Sequence, residues 1–118
     1  MDLDKAIAAH AEWKIKLRSA MTTGERLDVA AISADNCCEL GRWLHGDGAA
    51  RLKSQPLFAE CVSNHAAFHR EAGKVAQAIN AKQLERAEAM LTTGSSYASA
   101  SSAVGLCLSR MKRTLASA

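Results

Sequence analysis

The chain has 118 residues, of which 48% are hydrophobic and 4% aromatic, and its 15 Lys and Arg against 12 Asp and Glu give a net charge of +3. This length and composition suit one domain with a single core, so we predict one domain over residues 1–118. The small net charge does not argue for a nucleic-acid partner. No apolar run approaches the roughly 18 residues of a membrane span, which excludes direct membrane insertion.

The first ten residues, MDLDKAIAAH, begin with acidic side chains and lack the basic and apolar regions of a secretory signal. Without such a signal, the cysteines are predicted to be reduced thiols and not a disulfide framework. There are four of them: Cys37, Cys38, Cys61 and Cys107. We therefore expect a cytoplasmic domain.

A first helix is predicted from Leu3 to Met21, where apolar residues recur every three or four positions. Asp2 or Asp4 is suited to cap its start, and Gly24 is suited to end it in a left-handed conformation. The stretch LDVAAIS that follows is compatible with one more turn of helix.

A short helix is predicted from Cys37 to Leu44, with Asp35 or Asn36 as its cap. The sequence HGDG then favours a loop, because Gly46 and Gly48 are strong breakers of helices. Gly41 would let this short helix pack close to the helices that carry histidines, and Trp43 would anchor it in the core.

The next helix is predicted to begin near Pro56, with Ser54 as its cap, and to end at about Asn80. A last long segment, from Lys82 to Leu115, carries a stripe of mostly small residues that Gly94 would kink or interrupt. Three long helices and one short helix predict an all-α fold, an antiparallel four-helix-type bundle in which the short helix carries a cysteine.

His65 and His69, in the sequence HAAFH, are four residues apart and therefore lie on one face of a helix. Both fall within an apolar stripe, and a buried imidazole needs a partner for each ring nitrogen, which a metal can supply. His10 lies on the apolar stripe of the first helix. His45, beside the GDG loop, is expected to be exposed. Three core-facing histidines in one small chain indicate a metal site.

A tetrahedral metal site needs a fourth ligand, and the residues alone leave all four cysteines as candidates. Cys61 lies one turn before His65 but is equally suited to be a small core residue. Cys38 begins the short helix, where the helix N-terminus would lower the thiol pKa and favour the thiolate. Imidazole and thiolate ligands together favour Zn²⁺ over Ca²⁺ or Mg²⁺.

Three motifs together resemble one family: HAEW around His10, CELGRWL followed by HGDG from Cys38, and HAAFH at 65–69. In this order they are similar to the chemoreceptor zinc-binding (CZB) domain, and GSSYASASS is similar to the last helix of that family. The resemblance implies that zinc is bound by His10, Cys38, His65 and His69. His45 departs from the family pattern, which has an aromatic residue there, and Cys37 places an extra thiol beside the site.

The residues contain no paired carboxylate near the histidines, no phosphate loop and no H-E-x-x-H motif, so a binding or sensing module is predicted and not an enzyme. The resemblance implies a regulatory domain of bacterial signalling, of the chemotaxis receptor or diguanylate cyclase type, that responds to zinc occupancy or to oxidation of the zinc-bound cysteine. It also implies a homodimer that acts on an effector domain or signalling protein. The alternatives are a structural, zinc-stabilised dimerisation module without a sensing role and, third, a metal-dependent enzyme.

Overall fold

A computed structural model describes residues 1–117, with side chains up to Leu115; residue 118 of the predicted domain lies outside the described residues. Within this range every regular element is a helix, and the helices pack against one another, which confirms the all-α bundle. In chain order the helices are α1 (Leu3–Thr23), α2 (Val29–Ser33), α3 (Glu39–Leu44), α4 (Asp47–Leu52), α5 (Pro56–Asn80), α6 (Leu84–Leu91) and α7 (Ser96–Ser117).

The ends of α1 follow from two local signals in the sequence. The Asp2 side chain accepts a hydrogen bond from the backbone N–H of Lys5 and so caps the first turn. At the other end Gly24 has φ +76°, and its N–H donates to the carbonyl of Ala20. The left-handed conformation, which glycine adopts without strain, ends the helix two residues later than predicted.

The long helices α1, α5 and α7 surround the core, and α1 and α7 run antiparallel, as an ion pair of 2.8 Å between Asp4 and Lys112 shows at one end. The core is made of fully buried side chains, each contributing about 1.5–3 kcal/mol of hydrophobic stabilisation. Its largest members are Phe68, Leu17, Leu40, Leu44, Leu91 and Leu108. Leu40 and Leu44 belong to α3, so the short helix is packed into the bundle.

The long segment predicted after residue 82 is divided into two helices. α6 ends at Leu91, and Gly94 has φ +88°, which no α-helix accommodates. α7 then begins at Ser96, and the hydroxyl of Ser95 accepts from the N–H of Ala98. Gly94 therefore interrupts the segment instead of kinking it.

The segment between α2 and α5 also differs from the prediction. α3 begins at Glu39 with Cys38 at its N-cap, not with Asp35 or Asn36. The predicted HGDG loop is shorter than expected, because α4 begins at Asp47. α5 begins at Pro56 as expected, but Gln55 occupies the N-cap position that was assigned to Ser54.

No helix in the described part of the chain is long and apolar enough to cross a membrane.

Candidate metal centre

Four side chains from three elements meet at one place in the bundle. His10 lies on α1, Cys38 is the N-cap of α3, and His65 and His69 lie one turn apart on α5. Each offers one ligand atom, and these four atoms all lie within 4.8 Å of one another. The fold thus brings together the four residues that the family resemblance implies.

The distances among three of these atoms approach those of a tetrahedral site. The Nε2 atoms of His65 and His69 are 3.0 Å apart, and the Cys38 Sγ lies 3.3 Å from the first and 3.6 Å from the second. Around a zinc ion with ordinary bond lengths, two nitrogens lie about 3.3 Å apart and a sulfur and a nitrogen about 3.5 Å apart. The chain therefore needs little rearrangement to place these three atoms around one ion.

Backbone carbonyls fix the orientation of two of the imidazoles. His10 Nδ1 lies 2.8 Å from the carbonyl oxygen of Ala6, one turn earlier on α1, and His69 Nδ1 lies 2.9 Å from the carbonyl oxygen of Ile32 on α2. An Nδ1–H that donates to a carbonyl leaves the lone pair on Nε2, the atom that faces the cluster. Both rings are thus presented in the tautomer that binds a metal through Nε2.

The site is buried on its histidine side. His10, His65 and His69 have exposed fractions of 5%, 1% and 2%. Burial lowers the pKa of His10, and burial together with its histidine neighbours lowers the pKa of His65 to about 3. These two imidazoles are therefore neutral at physiological pH and available as ligands without losing a proton.

Cys38 accepts a hydrogen bond of 3.3 Å from the N–H of Gly41 to its sulfur, as expected of an N-cap. The predicted lowering of its pKa was nevertheless wrong. Burial raises the pKa of the Cys38 thiol, and the backbone N–H groups of the short helix only partly oppose this effect. The free thiol is consequently protonated near neutral pH, and a bound metal ion would be needed to hold it as the thiolate.

Two glycines allow the close approaches that build the site. A Cβ at Gly41 would overlap the carbonyl oxygen of Asp35, so the loop before Cys38 folds directly onto α3. A Cβ at Gly73 would overlap the hydroxyl of Ser33, so α2 lies against α5 at this point. Gly41 thus packs against the preceding loop. The sequence had instead predicted that it would face the helices that carry the histidines.

The other cysteines lie outside the cluster. Cys61 and Cys107 are both buried and close enough to interact electrostatically, and the Asn64 side-chain amide donates to the Cys107 sulfur at 3.0 Å. Cys37 is exposed. This arrangement removes Cys61 from the set of candidate ligands that the sequence had left open.

His45 is also outside the cluster, and its side chain is 45% exposed, as predicted for a residue beside a loop. Its Nε2 lies 2.9 Å from Asp35 Oδ2. The pair joins the end of α3 to the loop that precedes Cys38. His45 therefore contacts the metal-site loop without offering a ligand atom.

The donor set fits a zinc ion on two observations. Three imidazoles and one thiol are the ligand types that zinc prefers, with no carboxylate among them. In addition, the Nε2 of His10 is buried and has no hydrogen-bond partner among the described residues. An unsatisfied buried nitrogen costs about 1–3 kcal/mol, which coordination to a metal would recover. The cluster is thus a His₃Cys site of the kind that binds Zn²⁺.

The family is shown by comparison of the sequence with family models. The chemoreceptor zinc-binding domain (CZB) matches residues 10–76, which is more than half of the chain and includes all four residues of the cluster. The chain belongs to this family. Searches of curated proteins and of solved structures gave no match.

Sequence reasoning missed the contribution of α2. The Ile32 carbonyl that orients His69 is a backbone group, so no residue type identifies it in advance. The signal that was present is Gly73, a glycine inside a long helix, where glycine costs about 1 kcal/mol relative to alanine. Such a residue indicates close approach of another backbone, and here the neighbour is Ser33.

Proposed function

We propose that His10, Cys38, His65 and His69 bind one zinc ion and that the chain is a zinc-binding regulatory domain of bacterial signalling. The observation that carries this proposal is the approach of the four ligand atoms to within 4.8 Å of one another. The family match supports it, because the family is named for zinc binding in chemoreceptors. With four protein ligands the site is closed, and a closed site favours a binding role over catalysis.

Zinc in this site would join three parts of the fold. α1 and α5 are already packed through the core, whereas Cys38 lies at the end of a loop and is held mainly by the packing of α3. Loss of zinc, or oxidation of the Cys38 sulfur, would remove the ligand that ties this loop to α5. We therefore place the regulated change in the segment from residue 34 to residue 45.

In this proposal the domain is cytoplasmic and acts on an effector domain or signalling protein of the chemotaxis receptor or diguanylate cyclase type. A second candidate is a structural zinc module that only holds a helical dimer together. The buried histidine cluster is compatible with both, because a zinc ion at this position would stabilise the core whether or not it is ever released.

The test of the site is the zinc content of purified variants, with Cys38→Ala compared with Cys61→Ala. Both remove a thiol near His65, but only the first removes a proposed ligand. We expect one zinc per chain in the wild type and in Cys61→Ala, and a loss of zinc affinity of at least about tenfold in Cys38→Ala. Equal zinc binding by the two variants would rule out the assigned ligand set.

A further inference from the structure

A cavity of about 180 Å³ opens beside two of the four cluster residues, between α1 and the start of α3. His10 and Cys38 line it, whereas His65 and His69 do not. The two α5 histidines are also the most deeply buried members of the cluster. A solute that enters this cavity therefore reaches the His10 and Cys38 edge of the site first.

The lining of the cavity near the cluster is small and apolar. Ala6 and Ala9 of α1 and Leu40 of α3 form part of its wall, and the indole of Trp13 forms another part. The ammonium group of Lys16 lies 5.2 Å from the centre of the Trp13 ring, where the cation is attracted to the ring face. A cavity of about 180 Å³ with these walls leaves room for a small solute beside the cluster.

The charges around the cavity nearly balance. Lys5 and Lys16 are opposed by Asp2, which caps α1, and by Glu39 in the first turn of α3. Met1, which carries the amino-terminal cation, also lines the cavity, so three cations face two anions and the net charge of the rim is small. The cavity should therefore select solutes by size and by apolar contact more than by charge.

We propose that this cavity is the route by which small, uncharged, thiol-reactive solutes reach Cys38, and that Ala9 and Trp13 set its width. The proposal rests on the proposed function in one respect, namely that the Cys38 sulfur is the reactive member of the zinc site. It goes beyond that function because it names the path to the sulfur and the size class of molecule that uses it.

The test measures how fast Cys38 reacts with iodoacetamide in zinc-free protein that carries Cys37→Ser, since Cys61 and Cys107 are buried. In this reaction the sulfur forms a bond to the acetamide carbon, iodide leaves, and the thiol proton passes to the buffer. Ala9→Leu narrows the cavity, and Ala8→Leu is the matched control, because Ala8 is an exposed alanine of α1 that does not line it. Mass spectrometry of the intact protein follows the modification.

We expect Ala9→Leu to slow alkylation at least tenfold and Ala8→Leu to leave the rate within twofold of the parent. Trp13→Leu, which widens the cavity, should raise the rate, and a bulky maleimide should react far more slowly than iodoacetamide in the parent protein. Equal rates for Ala9→Leu and Ala8→Leu would overturn the proposal, as would a rate that Trp13→Leu leaves unchanged.

The same variants separate this proposal from the proposed function. Zinc retained by Cys38→Ala would refute the ligand assignment, whatever the alkylation rates. Loss of zinc in Cys38→Ala together with identical alkylation of the two leucine variants would refute the access route alone.

Discussion

The Nδ1 of His69 lies 2.9 Å from the carbonyl oxygen of Ile32, so a five-residue helix positions a histidine that is 37 residues away in sequence. The contact exists because α2 approaches α5 closely at Gly73. A metal-binding histidine is commonly held in this way, by a group that accepts the proton of its other nitrogen. The orientation of His69 is consequently as sensitive to α2 as to α5.

Gly73→Ala should weaken both the fold and the zinc site. The new Cβ would overlap the Ser33 hydroxyl, and moving α2 away from α5 should cost about 1–3 kcal/mol of unfolding free energy. Because His69 would lose its carbonyl partner, we expect zinc affinity to fall roughly 10- to 100-fold. Chemical denaturation and competition with a zinc chelator measure the two effects.

Gly105→Ala is the control for this variant, since a Cβ at Gly105 in α7 meets no atom within 4 Å. It should leave zinc affinity unchanged and raise stability by about 0.5–1 kcal/mol. Adding Ser33→Ala to Gly73→Ala should restore part of the lost affinity. If Gly73→Ala binds zinc as tightly as Gly105→Ala does, α2 does not position His69.

Gly41→Ala tests the loop that carries Cys38. The added Cβ would overlap the carbonyl oxygen of Asp35, a backbone atom that cannot turn aside as a flexible side chain would. The loop must move, and with it the Cys38 sulfur and the N–H of Gly41 that donates to it. We expect zinc affinity to fall roughly 10- to 100-fold. The melting temperature of the zinc-free protein should change little, because α1, α5 and α7 keep their packing. An unchanged zinc affinity in Gly41→Ala would contradict this account.

Zinc binding should release protons, and Cys38 should supply one of them. Burial raises the pKa of its thiol and lowers those of His10 and His65, the latter to about 3. Near pH 7 the thiol is protonated and these two imidazoles are neutral. Of these three ligands, only the thiol must therefore lose a proton when zinc binds. Apparent affinity should therefore rise by up to about tenfold per pH unit below the thiol pKa.

Calorimetric titration with zinc, repeated in buffers of different ionisation enthalpy, counts the released protons. In Cys38→Ala the count should fall by about one. An identical count in the wild type and in Cys38→Ala would show that the thiol is not a ligand or is already ionised in the zinc-free protein.

Zinc should stabilise the protein and protect one segment in particular. A ligand present at 1,000 times its dissociation constant adds about 4 kcal/mol of stability, which for a chain of this size raises the melting temperature by roughly 10–20 °C. Hydrogen exchange should slow most in residues 34–45, because Cys38 is the ligand that the loop contributes. Protection spread evenly over α1, α5 and α7 would favour the structural role for zinc over the sensing role.

The homodimer that the family resemblance implies can be tested at an exposed apolar residue. Ile15 on α1 is 70% exposed and Leu106 on α7 is 61% exposed, and these helices pack against each other. Leu106→Lys should weaken self-association because it places a charge in an apolar contact. Leu84→Lys on α6 is the control, since Leu84 is 40% exposed there. Light scattering over a range of concentrations gives the mass, and a monomer throughout would contradict the dimer.

The sequence by itself determined the helical class, the start of α1 and the glycine that ends it, and the face of α5 that carries His65 and His69. These features depend on local rules, namely helical periodicity, the Asp2 cap and the left-handed Gly24. The family resemblance, carried by the histidine and cysteine motifs, selected Cys38 among four cysteines that spacing alone could not separate.

Only the tertiary structure decided how those residues meet and what surrounds them. The approach of Cys61 to Cys107, the orientation of His69 by Ile32 and the closure of the loop at Gly41 join residues between 6 and 46 positions apart. Such contacts depend on how the helices pack and not on any local pattern. The raised pKa of Cys38 has the same origin, because burial by the assembled bundle outweighs the local effect of the helix N-terminus from which the sequence predicted a lower value.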